Sequence, residues 1–183
     1  QEYIKCAKDP VYFMKKYCWI QHPTRGRVQF NLYPFQEGAL NLLQKNDRNI
    51  ILKSRQLGIS TLSAGISLWM MVFQKDKSIL VVATKQDTAK NLVTKVKFMY
   101  DNLPSWLQIG FTENNKLALR LKNGSQVKAV SAASDAGRSE AISLLIIDEA
   151  AFIEENRIEE IWGSSQQTLS TGGKAIVLST PNG

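Results

Sequence analysis

The segment at residues 54–61 has the residue types of a loop that binds phosphate. It reads Ser-Arg-Gln-Leu-Gly-Ile-Ser-Thr, follows a short β-branched run and precedes a mostly apolar stretch of helical length. Backbone N–H groups at a helix start, together with the helix dipole, favour the binding of an anion. A hydroxyl just after such a loop is a suitable ligand for Mg²⁺. An ordinary strand-to-helix turn with a capping serine is the alternative. On the first interpretation, the residues predicted to contact a nucleotide are Lys53, Ser54, Arg55, Gln56, Leu57, Gly58, Ile59, Ser60 and Thr61.

This segment departs from the strict phosphate-loop pattern GxxxxGK[ST]. When the two are aligned on Gly58, the lysine position holds Ile59, the hydroxyl position holds Ser60 and the first glycine position holds Lys53. Because the usual cation is missing, compensation of the phosphate charge has to come from Lys53 or Arg55 at the opening of the loop. The sequence does not choose between them.

Two acidic residues follow an apolar run near the end of the chain. Leu144–Ile147 is entirely apolar and leads directly into Asp148 and Glu149. In nucleotide hydrolases, the first acid of such a pair holds Mg²⁺ and the second acts as the general base for the attacking water. A strand that ends in solvated acids is the alternative, but a candidate phosphate loop about 90 residues earlier favours the catalytic interpretation.

Four further residues fit the chemistry of a nucleotide site. Gln36 follows Tyr-Pro-Phe, and its amide can pair with both the donor and acceptor edges of adenine. Ser179 and Thr180 follow the last apolar run and have hydroxyls suited to sensing a γ-phosphate. Arg138 lies in a polar loop ten residues before Asp148, from which it could reach the nucleotide of a neighbouring subunit. The simpler alternatives are a helix start with a surface glutamine, a plain turn and an ordinary loop arginine.

Apolar strands that alternate with helices are predicted to position these residues. Such alternation indicates an α/β fold, a mainly parallel sheet with helices on both faces, which binds ligands beyond the carboxyl ends of its strands. An amphipathic element (2–20) and a polar loop or short hairpin (21–31) form an N-terminal arm, and residues 32–183 form the core. The predicted strands are 49–53, 78–84, 144–147 and 175–178; the helices are 35–44, 59–73, 85–103 and 154–169; and a hairpin at 117–121 and 126–130 turns at Asn123-Gly124.

Composition places broad limits on the kind of protein. The 183 residues suffice for one domain with a substantial core. With 23 basic and 16 acidic residues the formal net charge is +7, which suits nucleic acid but also simple solubility. Cys6 and Cys18 have no CxxC spacing and His22 is the only histidine, so neither a zinc site nor a disulfide framework is indicated. No signal peptide or membrane-spanning run is present, and we expect a cytosolic protein without a membrane partner.

The segments SRQLGIST, LLIIDEAAF and STPNG, in this order, resemble the motifs of tailed-phage large terminases of the T4 type. The resemblance extends over residues 32–183. It implies a P-loop NTPase of the ASCE or RecA-like class, with ATP and Mg²⁺ as cofactors. It also implies that residues 54–61 are the Walker A loop, that Ser60 and Asp148 hold the metal, and that Glu149 is the catalytic carboxylate.

The same resemblance assigns roles to the remaining candidates. Gln36 matches the adenine-binding glutamine of the family, and Ser179 and Thr180 match its coupling motif. Arg138 matches a position proposed to act as an arginine finger between subunits. The implied function is that of the ATPase motor core, which moves double-stranded DNA into the procapsid. The implied partners are double-stranded DNA, the portal protein, the small terminase subunit and further copies in a ring, located at the portal vertex in the host cytoplasm.

Two departures from the family pattern leave alternatives open. Ile59 replaces the usual loop lysine, which raises the hypothesis of an assembly module that binds nucleotide with weak or no hydrolysis. Large terminases continue into a nuclease of RNase H-like fold, so we expect this chain to be a fragment without nuclease activity. A helicase-type nucleic-acid ATPase of the same broad fold is the third hypothesis, although such motors bring a loop lysine and a second RecA-like lobe.

Overall fold

The computed structural model describes residues 1–133 and 141–182, apart from the side chains of Gln167 and Thr168. The helices in these ranges are α1 (Glu2–Lys8), α2 (Pro10–Tyr17), α3 (Pro34–Lys45), α4 (Ile59–Phe73), α5 (Gln86–Asp101) and α6 (Glu155–Leu169), with short 3-10 turns η1 (Ser105–Leu107) and η2 (Ala150–Phe152). The strands are β1 (Trp19–His22), β2 (Gly26–Gln29), β3 (Arg48–Leu52), β4 (Ser78–Ala83), β5 (Phe111–Asn114), β6 (Ala118–Leu121), β7 (Gln126–Ser131), β8 (Leu144–Asp148) and β9 (Lys174–Ser179).

In the described ranges, seven strands form one sheet in the order β3-β9-β8-β4-β7-β6-β5. The first five strands in this order are mutually parallel, and β6 and β5 continue the sheet in antiparallel fashion. The consecutive parallel strands β8 and β9 are joined through α6, a crossover typical of parallel strands. The predicted α/β fold with a mainly parallel sheet is therefore confirmed.

Helices cover both faces of this sheet, and the strand residues divide between two cores. In β8, Leu144 and Ile146 belong to the larger core, which α4 and α5 cover. Leu145 and Ile147 belong to the smaller core on the other face, beneath α6. Because successive side chains of a strand point to opposite faces, a strand buried on both faces is apolar at every position, as the sequence of β8 is.

The predicted hairpin and the predicted N-terminal elements are present, with added detail. β6 and β7 pair across a turn in which Gly124 has a φ of +85°. The amphipathic element consists of two helices, since Asp9 and Pro10 end α1 and begin α2; the Asp9 carboxylate accepts a hydrogen bond from the Tyr12 amide at 2.9 Å. Residues 21–31 include the turn and second strand of a two-stranded hairpin, β1 with β2.

The N-terminal arm packs into the same core as the helices of residues 32–183. Phe13 and Met14 are fully buried in the larger core, and Met14 lies against Gly65 of α4, where an added Cβ would come within 2.8 Å of its sulfur. The Trp69 indole N–H donates to the carbonyl of Cys6 at 2.9 Å. This packing buries one side of α4, the helix that begins just after the candidate phosphate loop.

A charged hydrogen-bond cluster joins α1 to α2. The Glu2 carboxylate accepts hydrogen bonds from the hydroxyls of Tyr17 and Tyr12, each at 2.7 Å, and from the Lys16 ammonium at 2.9 Å. These three donors, with Tyr17 the strongest, lower the pKa of Glu2 from 4.5 to about 2. The ionised form of Glu2 is therefore the one that the folded arm favours.

We predict that Glu2 makes stability depend on pH in the acid range. Because its folded-state pKa lies below the ordinary value, its contribution is present above about pH 4.5 and is lost as the pH falls towards about 2. The melting temperature of Glu2→Gln should be lower than that of the wild type at neutral pH, and the two should converge in acid. Glu159→Gln, at an exposed carboxylate of α6, is the control. A difference that stays constant from neutral pH to about pH 2 would contradict the prediction.

Candidate functional site

The carboxyl ends of four parallel strands meet at one edge of the sheet. Leu52 of β3 is opposite Ser179 of β9, while Asp148 of β8 is opposite both Leu178 of β9 and Ala83 of β4. The Lys53 amide donates to the carbonyl of Ser179 at 2.9 Å, which extends this alignment into the loop. The structure thus brings together the candidate phosphate loop, the two acids and the hydroxyl pair, which lie up to 127 positions apart in the chain.

The loop between β3 and α4 has a strained backbone that presents the start of a long helix. Gly58 is the N-cap of α4 with a φ of +70°, and the preceding Gln56 has a φ of +63°, which is uncommon for a residue with a side chain. The side chains at positions 54–57 are exposed. The hydroxyls of Ser60 and Thr61 make no hydrogen bond in the part of the chain that the structure describes. The first turn of α4 therefore has N–H groups and two hydroxyls available to an anion and its metal.

The position without the usual lysine contributes to the core. Ile59 is only 4% exposed and belongs to the larger apolar cluster, so no polar group reaches the loop from this position. Lys53 is partly exposed and Arg55 exposed, and the side chain of neither residue makes an ion pair or hydrogen bond with any described residue. Both cations at the start of the loop are thus available to a ligand.

The two acids differ in burial and in backbone conformation. Asp148 is 6% exposed, and its Oδ1 accepts a hydrogen bond from the Glu149 amide at 3.0 Å. Its second carboxylate oxygen has no hydrogen bond among the described residues. Glu149 is partly exposed and adopts the left-handed conformation, with φ +58° and ψ +41°. Such strain is typical of functional turns, and here it turns the chain from β8 into η2.

The segment that ends the described chain is bonded to the turn that follows Glu149. The Ser179 hydroxyl accepts from the Ala151 amide at 3.1 Å and donates to the carbonyl of Thr180 at 2.8 Å. The side-chain NH₂ of Asn182 donates to the backbone carbonyl of Ala151 at 3.0 Å. Ser179 and Thr180 are buried. Residues 179–182 are therefore hydrogen-bonded directly to the turn that follows the two acids.

Gln36 contacts the candidate phosphate loop, which the sequence did not predict. The side-chain oxygen of Gln36 accepts a hydrogen bond from the backbone N–H of Tyr33 at 3.0 Å, and its side-chain NH₂ donates to the backbone carbonyl of Leu57 at 2.9 Å. Only 3% of the residue is exposed. The side chain thus ties the start of α3 to the loop, and its predicted contact with adenine stays a prediction.

A cavity of about 630 Å³ lies between the N-terminal hairpin and the loop. Its size is within the range of small-molecule sites. Tyr33 and Phe35 line it with nearly parallel rings whose centroids are 5.8 Å apart. Sequence reasoning missed His22 and Arg25 of the hairpin, which also line the cavity. No local pattern indicated them, since only the packing of the arm on the core brings them to the loop.

Other predicted features are described as far as the structure reaches. Arg138 lies outside the described residues. Where residues are described, no group of three or more His, Cys, Asp or Glu side chains is placed to hold a metal ion. The predicted metal ligands Ser60 and Asp148 therefore stay a prediction. No helix in the described ranges is long and apolar enough to cross a bilayer.

A parallel sheet with a glycine-containing loop, acids and hydroxyls at its carboxyl edge defines a P-loop-type nucleoside triphosphatase fold. A family model described as "Terminase large subunit, T4likevirus-type, N-terminal" matches residues 50–183. The chain therefore belongs to this family of phage large terminases. The family match does not support the alternative of a helicase-type ATPase, although a helicase shares the broad fold.

Solved structures agree with this assignment. The large terminase of bacteriophage HK97 superposes with a TM-score of 0.75 at 20% identity, over 95% of this chain and 37% of that chain. The large terminase ATPase domain of Thermus phage P74-26 gives 0.68 at 21% identity, over 84% of this chain and 66% of that one. A large terminase of a thermophilic bacteriophage in complex with ATP-γ-S gives 0.55 at 14% identity, over 75% and 33%. At these identities the likeness shows a shared fold, and the chain spans little more than a third of the HK97 protein.

We predict that Gly58→Ala destabilises the loop. An L side chain at a φ of +70° costs about 1–2 kcal/mol, and the new Cβ would lie 2.7 Å from the side-chain nitrogen of Gln36, disrupting its bond to Leu57. The melting temperature should fall by several degrees. Gly38→Ala is the control, because Gly38 is in helix α3 with open space around it and should gain about 0.5–1 kcal/mol. An unchanged melting temperature for Gly58→Ala would show that the loop is not held in this conformation.

Proposed function

We propose that this chain binds ATP with Mg²⁺ at the carboxyl edge of its sheet and hydrolyses it to drive double-stranded DNA into a procapsid. The observation that carries the proposal is the convergence of the loop, the paired acids and the hydroxyl segment in a chain of the large terminase family. The related proteins characterised as an ATPase domain and as an ATP-γ-S complex support a nucleotide of this class.

Residues at the loop and at α4 hold the triphosphate in this proposal. N–H groups of the first turn of α4 donate to the phosphates, and Lys53 or Arg55 adds the positive charge that Ile59 lacks. The Ser60 hydroxyl and the unbonded oxygen of Asp148 fit as ligands of Mg²⁺. When bound, Mg²⁺ neutralises charge on the β- and γ-phosphates. The cavity beside Tyr33 and Phe35 takes the base, with Gln36 at its edge.

Glu149 is the general base of the proposed reaction. Its carboxylate takes a proton from a water whose oxygen bonds to the γ-phosphorus, while the bond from that phosphorus to the bridging oxygen breaks to give ADP and phosphate. Glu149 adopts the left-handed conformation just after the end of β8, where the chain leaves the strand. In this proposal Asp148 holds the metal and Glu149 activates the water.

Hydrolysis is coupled to movement through residues 179–182 in this proposal. Ser179 and Asn182 both bond to Ala151, two positions after Glu149. Release of phosphate removes negative charge next to Glu149, and these bonds pass the resulting displacement to the end of β9. A further proposal is that Arg138 acts on the nucleotide of a neighbouring copy in a ring. This ring works with the portal protein, the small terminase subunit and DNA at the portal vertex in the host cytoplasm.

The decisive test of the proposed activity is Glu149→Gln. Removal of the general base should lower ATP turnover by about 10²- to 10⁴-fold, while ATP binding in calorimetry stays within a few-fold of the wild type. Glu154→Gln, at an exposed acid five positions later, is the matched control and should hydrolyse normally.

The outcomes separate the alternatives. Normal turnover by Glu149→Gln would refute its role as base. A wild-type protein that binds ATP but shows no phosphate release, alone or assembled with DNA and portal, would instead favour the assembly module without hydrolysis. A wild-type protein that binds no nucleotide would refute the proposed site altogether.

We also predict that Lys53 contributes more to nucleotide binding than Arg55. The backbone of Lys53 is fixed to Ser179, whereas Arg55 is in the exposed part of the loop. Loss of a charge-assisted hydrogen bond of about 1.5–3 kcal/mol should weaken ATP binding by Lys53→Ala about tenfold or more. Arg55→Ala should lose less, and Lys75→Ala, just beyond the far end of α4, should match the wild type in calorimetry. Equal and mild losses from Lys53→Ala and Arg55→Ala would contradict the idea of a cation at the start of the loop.

A further inference from the structure

A partly buried lysine on α5 lies next to the candidate nucleotide site. α5 packs against α4, β1, β4 and β7. Lys95, in its third turn, is partly buried and lines a cavity of about 440 Å³ together with Thr61 from the first turn of α4 and Gln21 of the N-terminal hairpin. Thr61 also lines the larger cavity next to the loop. The two cavities therefore meet at the helix start to which the phosphates are assigned.

Lys95 differs from the other lysines of the same helix, because its side chain has no partner within residues 1–133 and 141–182. Lys90 pairs with Asp87 at 3.7 Å, and Lys97 pairs with Asp101 at 2.7 Å. The side-chain ammonium of Lys95 makes no ion pair or hydrogen bond with any described residue. Burial lowers the pKa of Lys95 from its ordinary value of 10.5. Partial burial of an unpaired ammonium lowers the stability of the fold. An anion bound next to Lys95 would offset this cost.

The electrostatic surroundings of Lys95 connect it to the strand edge. The Asp148 carboxylate raises the pKa of Lys95 and the Lys53 ammonium lowers it, both less strongly than burial does. Both charged groups therefore interact electrostatically with Lys95, although no ion pair joins Lys95 to Asp148. It approaches the same edge of the sheet as Lys53, but from the helix layer instead of from the loop.

We infer that Lys95 is a phosphate-binding residue whose ammonium contacts the terminal phosphate of the bound nucleoside triphosphate. This inference rests on the proposed nucleotide site. The lysine position of the loop is occupied by Ile59, which is buried in the core. Lys95 supplies the missing positive charge from α5. Together with Lys53, it places cations on two sides of the triphosphate, a preorganised arrangement for the charge that develops during hydrolysis.

The test compares triphosphate and diphosphate binding in matched variants of the full chain. We expect Lys95→Met to bind ATP-γ-S with Mg²⁺ about tenfold or more weakly in calorimetry, with ADP affinity changed by less than about threefold. Lys95→Arg, which keeps the charge, should recover most of the ATP-γ-S affinity. Lys97→Met removes a charge from the same helix and should bind both nucleotides as the wild type does.

Thermal unfolding without nucleotide provides a second readout. Replacing an unpaired, desolvated ammonium by an apolar side chain of similar length should leave the melting temperature of Lys95→Met unchanged or raise it. A fall of several degrees, with both nucleotides weakened alike, would show that Lys95 supports the fold and would overturn the inference.

The remaining outcomes distinguish this inference from the proposed site. If the wild type binds ATP-γ-S and Lys95→Met binds it equally well, Lys95 has no contact with the terminal phosphate and only the inference on Lys95 fails. If the wild type binds neither nucleotide, the proposed function fails first and the inference fails with it.

Discussion

The parallel register of β3, β9, β8 and β4 is the constraint on which the site depends. Each of these strands ends within one residue of its neighbour's end. Because parallel neighbours present their carboxyl ends at one edge, whatever follows each strand is placed within reach of the others. A shift of one residue in any pair would also exchange the two faces of that strand. Apolar residues of β4, β8 and β9 are buried on both faces of the sheet, and the parallel register of these strands with β3 sets the position of the site.

The same burial explains why the N-terminal arm lies next to the candidate site. α4 has to be apolar nearly all round, since the sheet lies on one side of it and α2, α3 and α5 cover the rest. Packing α1 and α2 on α4 brings the hairpin β1–β2 over the loop, where it forms one wall of the cavity. The arm thus contributes to the fold through Phe13 and Met14 and to the site through His22 and Arg25.

Sequence reasoning succeeded where the signal was local. Apolar runs predicted β4, β8 and β9 to within a residue or two, and the glycine after a polar segment predicted the turn into α4. It failed where contacts join distant parts of the chain. The bond from Gln36 to Leu57 spans 21 positions, and the approach of Lys95 to Asp148 spans more than 50. Neither follows from composition or periodicity, because both depend on how α3 and α5 pack beside the sheet. The roles of the site residues themselves stay predictions.

The candidate phosphate loop follows the least supported strand of the parallel array. In the described ranges β3 pairs on one side only, with β9, and its Ile50 and Leu52 are 86% and 75% exposed. An edge strand of this kind does not by itself hold a loop rigidly. Two hydrogen bonds therefore have a large share in its position, from the Lys53 amide to Ser179 and from Gln36 to the carbonyl of Leu57. The first of these joins the loop to the segment that also bonds to the turn after Glu149. Hydrogen bonds consequently connect the loop, the hydroxyl segment and the turn after the acids, and in the proposed reaction a change at the phosphates reaches the end of β9 through them without crossing the core.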